Sequence, residues 1–140
     1  MSEGQRPGGL TTLAVINFVF AGLGLMNLAG ALVMSQQLDE MKRKGEKIPE
    51  FFEKMLAMTW IDYVLLLAAL TLMVVSGIGY LKQKRVLGRG MGNLFVLVGL
   101  GAAVRAIADD RFVFMSLFDL VYPLITVLLI NGSFREDLVN

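Results

Sequence analysis

The segment YVLLLAALTLMVV, residues 63–75, decides the fold class of this chain. Beyond Tyr63 it offers only Thr71 as a polar side chain, whereas a soluble helix bundle needs a polar stripe along every helix. The apolar run extends over residues 60–81, close to the ~20 residues that cross a ~30 Å hydrocarbon layer. It therefore predicts a transmembrane helix, and a soluble four-helix bundle is the alternative.

Three more apolar runs of similar length lie outside this segment. The 140 residues are 56% hydrophobic and 18% charged, whereas charged residues make up about a quarter of soluble domains. We predict one membrane domain over residues 1–140, with spans at residues 10–34, 60–81, 91–108 and 112–130. The predicted fold is all-α, an integral membrane four-helix bundle of two antiparallel hairpins. The first span has no small-residue cleavage site, so we expect it to stay in the protein.

The first connection, residues 35–54, is more than a spacer. Pro49 suits a first helical turn, and polar or small residues recur after it at helical spacing. The opposite face carries Phe51, Phe52, Met55 and Leu56. We predict an amphipathic interfacial helix over residues 49–59 that enters the second span at Trp60, a residue typical of the headgroup boundary. A helix that docks onto a partner is the alternative.

Orientation depends on the distribution of Lys and Arg. The two sides of the predicted topology carry equal numbers of these cations, and this count allows either orientation. The connection over residues 82–90 concentrates its cations without any acidic residue, whereas the first connection interleaves acids. We therefore predict that both termini are cytoplasmic and that the chain lies in the inner (cytoplasmic) membrane of the cell.

Small residues recur on two of the predicted spans. Helices in lipid associate closely only where small side chains let the backbones approach. Seven-residue steps place small or polar residues on single faces of the first and third spans, namely Asn17, Gly24 and Ala31, then Gly92, Gly99 and Ala106. We predict that these faces pack against other helices, although glycine is also common in membrane helices generally.

The segment FVFMSLFDLVYPLITVLLING, residues 112–132, carries a carboxylate inside an apolar run. Asp119 lies seven residues or ~10 Å into the predicted span, where a lone charge costs at least ~2.5–3.5 kcal/mol. The topology places it on the same side as Asp62 and Arg105, and we predict a polar cluster in which Arg105 is its partner. A structural ion pair is one interpretation. An ion or proton relay is the other interpretation. Pro123 favours it, because proline has no amide hydrogen and so leaves the Asp119 carbonyl without its usual helical donor.

Catalytic and nucleic-acid-binding functions find little support. The chain has no cysteine and no histidine, which leaves its serines without an imidazole base and excludes thiolate and imidazole metal ligands. Its net charge of +1 does not favour nucleic acid. We predict no enzyme activity, no cofactor and no metal. The expected partners are the lipid bilayer and either other membrane subunits or a second copy of the chain.

The opening RPGGLTTLAVINFVFAGLGLMN, residues 6–27, resembles the start of small prokaryotic four-span membrane proteins. These begin with Arg-Pro-x-Gly, a Thr and a Leu-Ala-Val run before a glycine-rich first helix. The resemblance implies an inner-membrane protein without an assigned activity, and it transfers no functional residues. The sequence thus predicts a non-catalytic accessory or assembly subunit of a membrane complex or homo-oligomer. The alternative is a small transporter or channel protomer that uses Asp119.

Overall fold

Helices are the regular secondary structure of the described residues. The computed structural model describes residues 7–50, 52–53, 59–109 and 116–139, and the side chains of these ranges except those of residues 116–119. No β-strand lies in these ranges. Their long helices are α1 (Gly8–Arg43), α2 (Trp60–Leu81), α3 (Met91–Ala108) and α4 (Ser116–Leu128). A π-helical turn, Arg85–Gly90, precedes α3 and another, Leu129–Ser133, follows α4.

Helix α1 continues well past the apolar run that predicts it. It is 36 residues long, or ~54 Å, and includes the first half of the charged connection predicted to begin at residue 35. The added residues SQQLDEMKR contain no glycine or proline and favour a helix. The helix ends at Arg43, and Gly45 follows in the left-handed conformation with a φ of 74°. The Gly45 amide donates to the Lys42 carbonyl, and the Glu46 amide donates to the Met41 carbonyl.

Helices α2 and α3 coincide with the apolar runs at residues 60–81 and 91–108. The Thr59 amide donates a hydrogen bond of 2.7 Å to the Asp62 carboxylate at the start of α2, which satisfies an amide that precedes the helix. At the other end, Gln83 adopts a φ of 52° and its amide bonds the Tyr80 carbonyl. Gln83 thus takes the left-handed position that usually belongs to glycine.

Contacts along the chain show that consecutive helices run in opposite directions. An added Cβ at Gly24 of α1 would meet the Leu70 side chain of α2, whereas Asn17, earlier in α1, reaches Ser76, later in α2. The same reversal relates α2 to α3, because Arg105 contacts the start of α2. Helix α3 in turn packs against α4.

Two apolar clusters lie between the helices. One cluster joins the start of α1 to the end of α2 and to residues 130–138. Its buried members are Leu10, Leu13, Ala14, Tyr80, Ile130 and Leu138. The other lies further along the helices and contains Ala21, Leu70, Met73, Phe95 and Val96. Both clusters bring together residues from at least three helical segments, which fixes the relative positions of the helices.

The chain ends on the connection between α2 and α3. The Val139 amide bonds the Gln83 carbonyl at 3.1 Å, and the Arg85 amide bonds the Val139 carbonyl at 2.6 Å. Leu138 is 2% exposed beside Gly88. The start of α1 lies at this same end, since an added Cβ at Gly9 would meet the Phe134 ring. We call this end the terminal end of the molecule.

Three described helical segments are long and apolar enough to cross a membrane, namely Gly8–Arg43, Trp60–Leu81 and Arg85–Ala108, and a shorter apolar segment covers Leu120–Ser133. The first residues of the predicted fourth span, up to residue 115, lie outside the described residues. Of the predicted interfacial helix, the structure describes the first turn, in which the Phe52 and Glu53 amides bond the Pro49 carbonyl. Its remaining residues 54–58 lie outside the described part.

Candidate functional site

Three polar residues are buried among the apolar side chains of the described interior. Asn17, Ser76 and Thr126 have no exposed surface. By contrast, large apolar side chains face outward on every long helix, and Met26 and Leu128 are each 71% exposed. Apolar side chains exposed on every long helix are unfavourable in water and are typical of a surface that faces lipid or another protein.

A buried amide joins three helices. The Asn17 side-chain nitrogen of α1 donates to the Ser76 hydroxyl at 2.9 Å and to the Met73 carbonyl at 3.1 Å, both in α2. The Tyr122 hydroxyl of α4 donates to the Asn17 side-chain oxygen. The Tyr122 ring also packs edge-on against Phe20, with ring centroids 4.9 Å apart. Asn17 therefore uses both ends of its amide between helices, as buried polar groups in an apolar medium require.

Two further hydroxyls are buried near this network. Within the described residues, the Tyr80 hydroxyl and the Thr126 hydroxyl have no partner in hydrogen-bonding geometry. Tyr80 packs against Gly92, where an added Cβ would also meet Ile130. The interior thus combines satisfied and unsatisfied polar groups, all of them uncharged. These groups offer hydrogen bonds for packing between the described helices.

An ion pair links α2 to α3 at the other end of the molecule. The Arg105 Nε lies 2.8 Å from Asp62 Oδ1, and Arg105 Nη2 donates to the Thr59 hydroxyl at 3.2 Å. The Arg105 side chain is 34% exposed, and the Asp62 side chain is 9% exposed. Asp62 also accepts the hydrogen bond from the Thr59 amide. One carboxylate therefore caps the start of α2 and forms the ion pair with α3.

The structure brings together two of the three residues in the predicted polar cluster. Arg105 contacts Asp62, whereas the side chain of Asp119 lies outside the described part of the chain. The pairing of Asp119 with Arg105 therefore stays a prediction. Pro123, four residues after Asp119, lies inside α4 and is buried.

The predicted packing residues occupy several environments. An added Cβ at Gly99 would lie 3.2 Å from Pro123 Cγ, and Gly24 and Gly92 are also in close contact with side chains of other helical segments. Ala31 and Ala106 are half-buried. Of the predicted interfacial residues, Trp60 is 74% exposed and Phe52 is half-buried. Phe51, Met55 and Leu56 lie outside the described residues.

A second amide network lies at the terminal end, and sequence reasoning missed it. The Asn131 nitrogen donates to the Asn93 side-chain oxygen at 2.6 Å, and the Asn93 nitrogen donates to the Asn131 oxygen at 3.2 Å. Arg89 Nε donates to that same Asn131 oxygen at 2.8 Å. Asparagine within an apolar run was the available signal, because such a residue in a membrane helix needs a partner.

Metal binding has no support among the described residues, where no group of three or more His, Cys, Asp or Glu side chains is placed to hold an ion. No protein-family model, curated protein or solved structure matches the chain. The resemblance of residues 6–27 to small prokaryotic four-span proteins therefore stays a prediction.

Proposed function

We propose that the chain is an integral membrane four-helix bundle of two antiparallel hairpins, with a non-catalytic role as an accessory or assembly subunit of a membrane complex or as a homo-oligomer. The apolar exterior and the buried Asn17 network support the membrane environment. The opposite directions of consecutive helices support the hairpins. The start of α1 and the chain end lie together, as an even number of crossings requires.

The observation that carries the subunit role is the exposed amide of Asn27. This side chain is exposed on α1 and has no hydrogen-bond partner among the described residues. Because Gly24 packs on Leu70, Asn27 lies near the level of Leu67, about 10 Å along α2 from Trp60. An amide at that depth faces hydrocarbon unless another helix supplies a hydrogen bond, so a partner helix satisfies a group that this chain leaves open.

The surface around Asn27 is suited to close approach. Gly30 is one turn further along the same helix, and an added Cβ there would meet no described residue within 4 Å. Leu23, one turn earlier, is 51% exposed. A second membrane helix can therefore approach the α1 backbone here. It can donate a hydrogen bond to the Asn27 side-chain amide or accept one from it.

Association in mild detergent tests this role. The natural chain should elute with stoichiometric partner subunits or as an oligomer, and Asn27→Leu or Gly30→Leu should shift it to the monomer. Among the described residues Gly30→Leu meets open space, so the monomer should keep its thermal stability. Leu97→Ala is a matched control on α3, because Leu97 is also exposed, at 68%. A natural chain that is monomeric without partners would contradict the proposed role.

The second candidate function is a small transporter or channel protomer that uses Asp119. Two observations favour it: the buried hydroxyls of Tyr80 and Thr126 have no partner in the described part, and Pro123 interrupts the amide pattern of α4 after Asp119. Asp119→Asn and Arg105→Gln, alone and together, separate the two functions. A structural pair predicts that the double variant recovers stability lost in Asp119→Asn. A transport site predicts a stable double variant that no longer moves its ion.

We also place the protein in the cytoplasmic membrane with both termini in the cytoplasm. The cations at residues 82–90 support this orientation. The chain has no cysteine, so single cysteines report sidedness directly. On intact cells an impermeant thiol reagent should label Lys44→Cys and leave Lys84→Cys unlabelled. The opposite pattern would reverse the orientation.

A further inference from the structure

A groove at the terminal end is lined mainly by arginine. It has a volume of about 320 Å³ and lies between the connection from α2 to α3 and the last residues of the chain. Its lining residues are Arg85, Arg89, Arg135, Glu136, Leu138 and Val139. This volume lies within the ~300–1,000 Å³ range of small-molecule sites in proteins.

The described residues that line the groove include three arginines and one glutamate, which gives this lining a net positive charge. No carboxylate in the described part lies within ion-pair distance of Arg85, Arg89 or Arg135. Glu136 lines the groove and forms no ion pair with another described residue. Three arginines line the groove, and a guanidinium group presents a planar set of N–H donors that matches the oxygens of a phosphate group.

One of these arginines is held in place by its neighbours. Arg89 is half-buried, and its Nε donates to Asn131, which the reciprocal Asn93 amide fixes in turn. Its terminal nitrogens remain available to a ligand. The Arg85 backbone is fixed as well, because its amide bonds Val139 at 2.6 Å. The groove is thus built on ordered backbone and side chains, which limits the conformational entropy lost on binding.

The surroundings of the groove combine polar and apolar surface. The groove is built on the connection that follows α2 at Leu81 and precedes α3. This connection lies outside the apolar helices, so in a membrane the groove lies at the level of the headgroups. Val86 is 69% exposed and Val139 is 58% exposed at this end. A lipid could therefore place its phosphate among the arginines and its acyl chains against apolar side chains, as in basic pockets that bind anionic headgroups.

We propose that this arginine groove binds the phosphate of one anionic phospholipid headgroup. The inference rests on the proposed membrane location and goes beyond the proposed subunit role. The shared chemistry is that of a phosphate anion, and a phospholipid is favoured over free phosphate because exposed apolar side chains adjoin the groove.

Native mass spectrometry of the full chain, delipidated in mild detergent, tests the site. We expect one phosphatidylglycerol retained per chain, and at least about tenfold weaker retention of phosphatidylcholine with the same acyl chains. Inorganic phosphate at equal concentration should not displace the lipid. Displacement by phosphate would overturn the lipid assignment, and equal retention of the two lipids would overturn the site.

Three variants locate the binding. Arg85→Gln combined with Arg135→Gln should weaken phosphatidylglycerol retention about tenfold or more, because both side chains are exposed and no described carboxylate depends on them. Glu136→Gln should strengthen retention a few-fold by removing a repulsive charge from the groove. Arg43→Gln, at the far end of α1, is the control and should change nothing. Unchanged retention in the double variant would overturn the proposal.

A separate measurement keeps this inference distinct from the membrane proposal. Flotation with phosphatidylcholine vesicles measures insertion without any anionic lipid. A chain that floats with these vesicles but shows no headgroup preference overturns the groove alone. A chain that remains in the aqueous fraction overturns the membrane location as well.

Discussion

The Asn17 network allows the most direct test of how the helices are held together. Replacing Asn17 by leucine keeps a side chain of similar size and removes the amide. Three hydrogen bonds are lost, to Ser76, to the Met73 carbonyl and from Tyr122. Side-chain hydrogen bonds in membrane proteins average about 0.6 kcal/mol each, so Asn17→Leu should lower the free energy of unfolding by about 2 kcal/mol.

Titration of the purified protein with a denaturing detergent in mixed micelles measures this change. Tyr122→Phe removes one bond and should cost about 0.6 kcal/mol, with coupling to Asn17→Leu of about 0.6–1.7 kcal/mol in the double variant. Thr12→Val is the control on the same helix, since this exposed hydroxyl bonds only its own backbone, at Gly8. Its effect should stay within about 0.5 kcal/mol. Equal effects of Asn17→Leu and Thr12→Val would refute the network.

The remaining predictions concern the ion pair, the helix contacts and a helix end. Asp62→Asn and Arg105→Gln should show coupling of about 1 kcal/mol or less in a double-mutant cycle, because Arg105 is partly exposed; zero coupling would mean that they are not partners. Gly99→Leu should lower the free energy of unfolding by about 1–3 kcal/mol because the leucine side chain clashes with Pro123. The control Leu97→Ala, on the exposed face of α3, should shift the unfolding midpoint less. Similar effects of the two changes would place Gly99 on the lipid face. Gln83→Gly should increase the free energy of unfolding by about 0.5–1 kcal/mol and so raise the thermal midpoint, because glycine adopts the left-handed conformation without strain. A lowered midpoint would contradict this account.

The ends of the helices show how far local sequence information reaches. The apolar runs at residues 60–81 and 91–108 match α2 and α3 because a change from apolar to charged residues coincides with glycine or a left-handed turn. The apolar run of α1 ends near residue 34, yet the helix reaches Arg43. Hydropathy detects the burial of a segment in lipid, whereas helix formation depends on backbone propensity, and the two coincide only where both change at one residue.

The polar sites show where local information ends. Sequence spacing assigned Asn17 to a packing face, and its depth in an apolar run already required a partner. That the partners are Ser76 and Tyr122 depends on contacts across 59 and 105 residues of chain, which no local pattern specifies. Likewise, Arg105 could be placed on the side of Asp62, but its Nε contact with this carboxylate follows from the relative rotation of α2 and α3.

The helical class, the positions of the apolar segments and the need to satisfy polar groups within them could all be predicted from the residue pattern. Each follows from residue transfer energies and from the geometry of one helix. The tertiary structure decided which helix faces meet, so it alone joined Arg85 and Arg89 to Arg135 in one groove and left the Asn27 amide exposed. The physical reason is that rotation of each helix about its axis is set by side-chain contacts between distant segments, and these contacts form only in the assembled bundle.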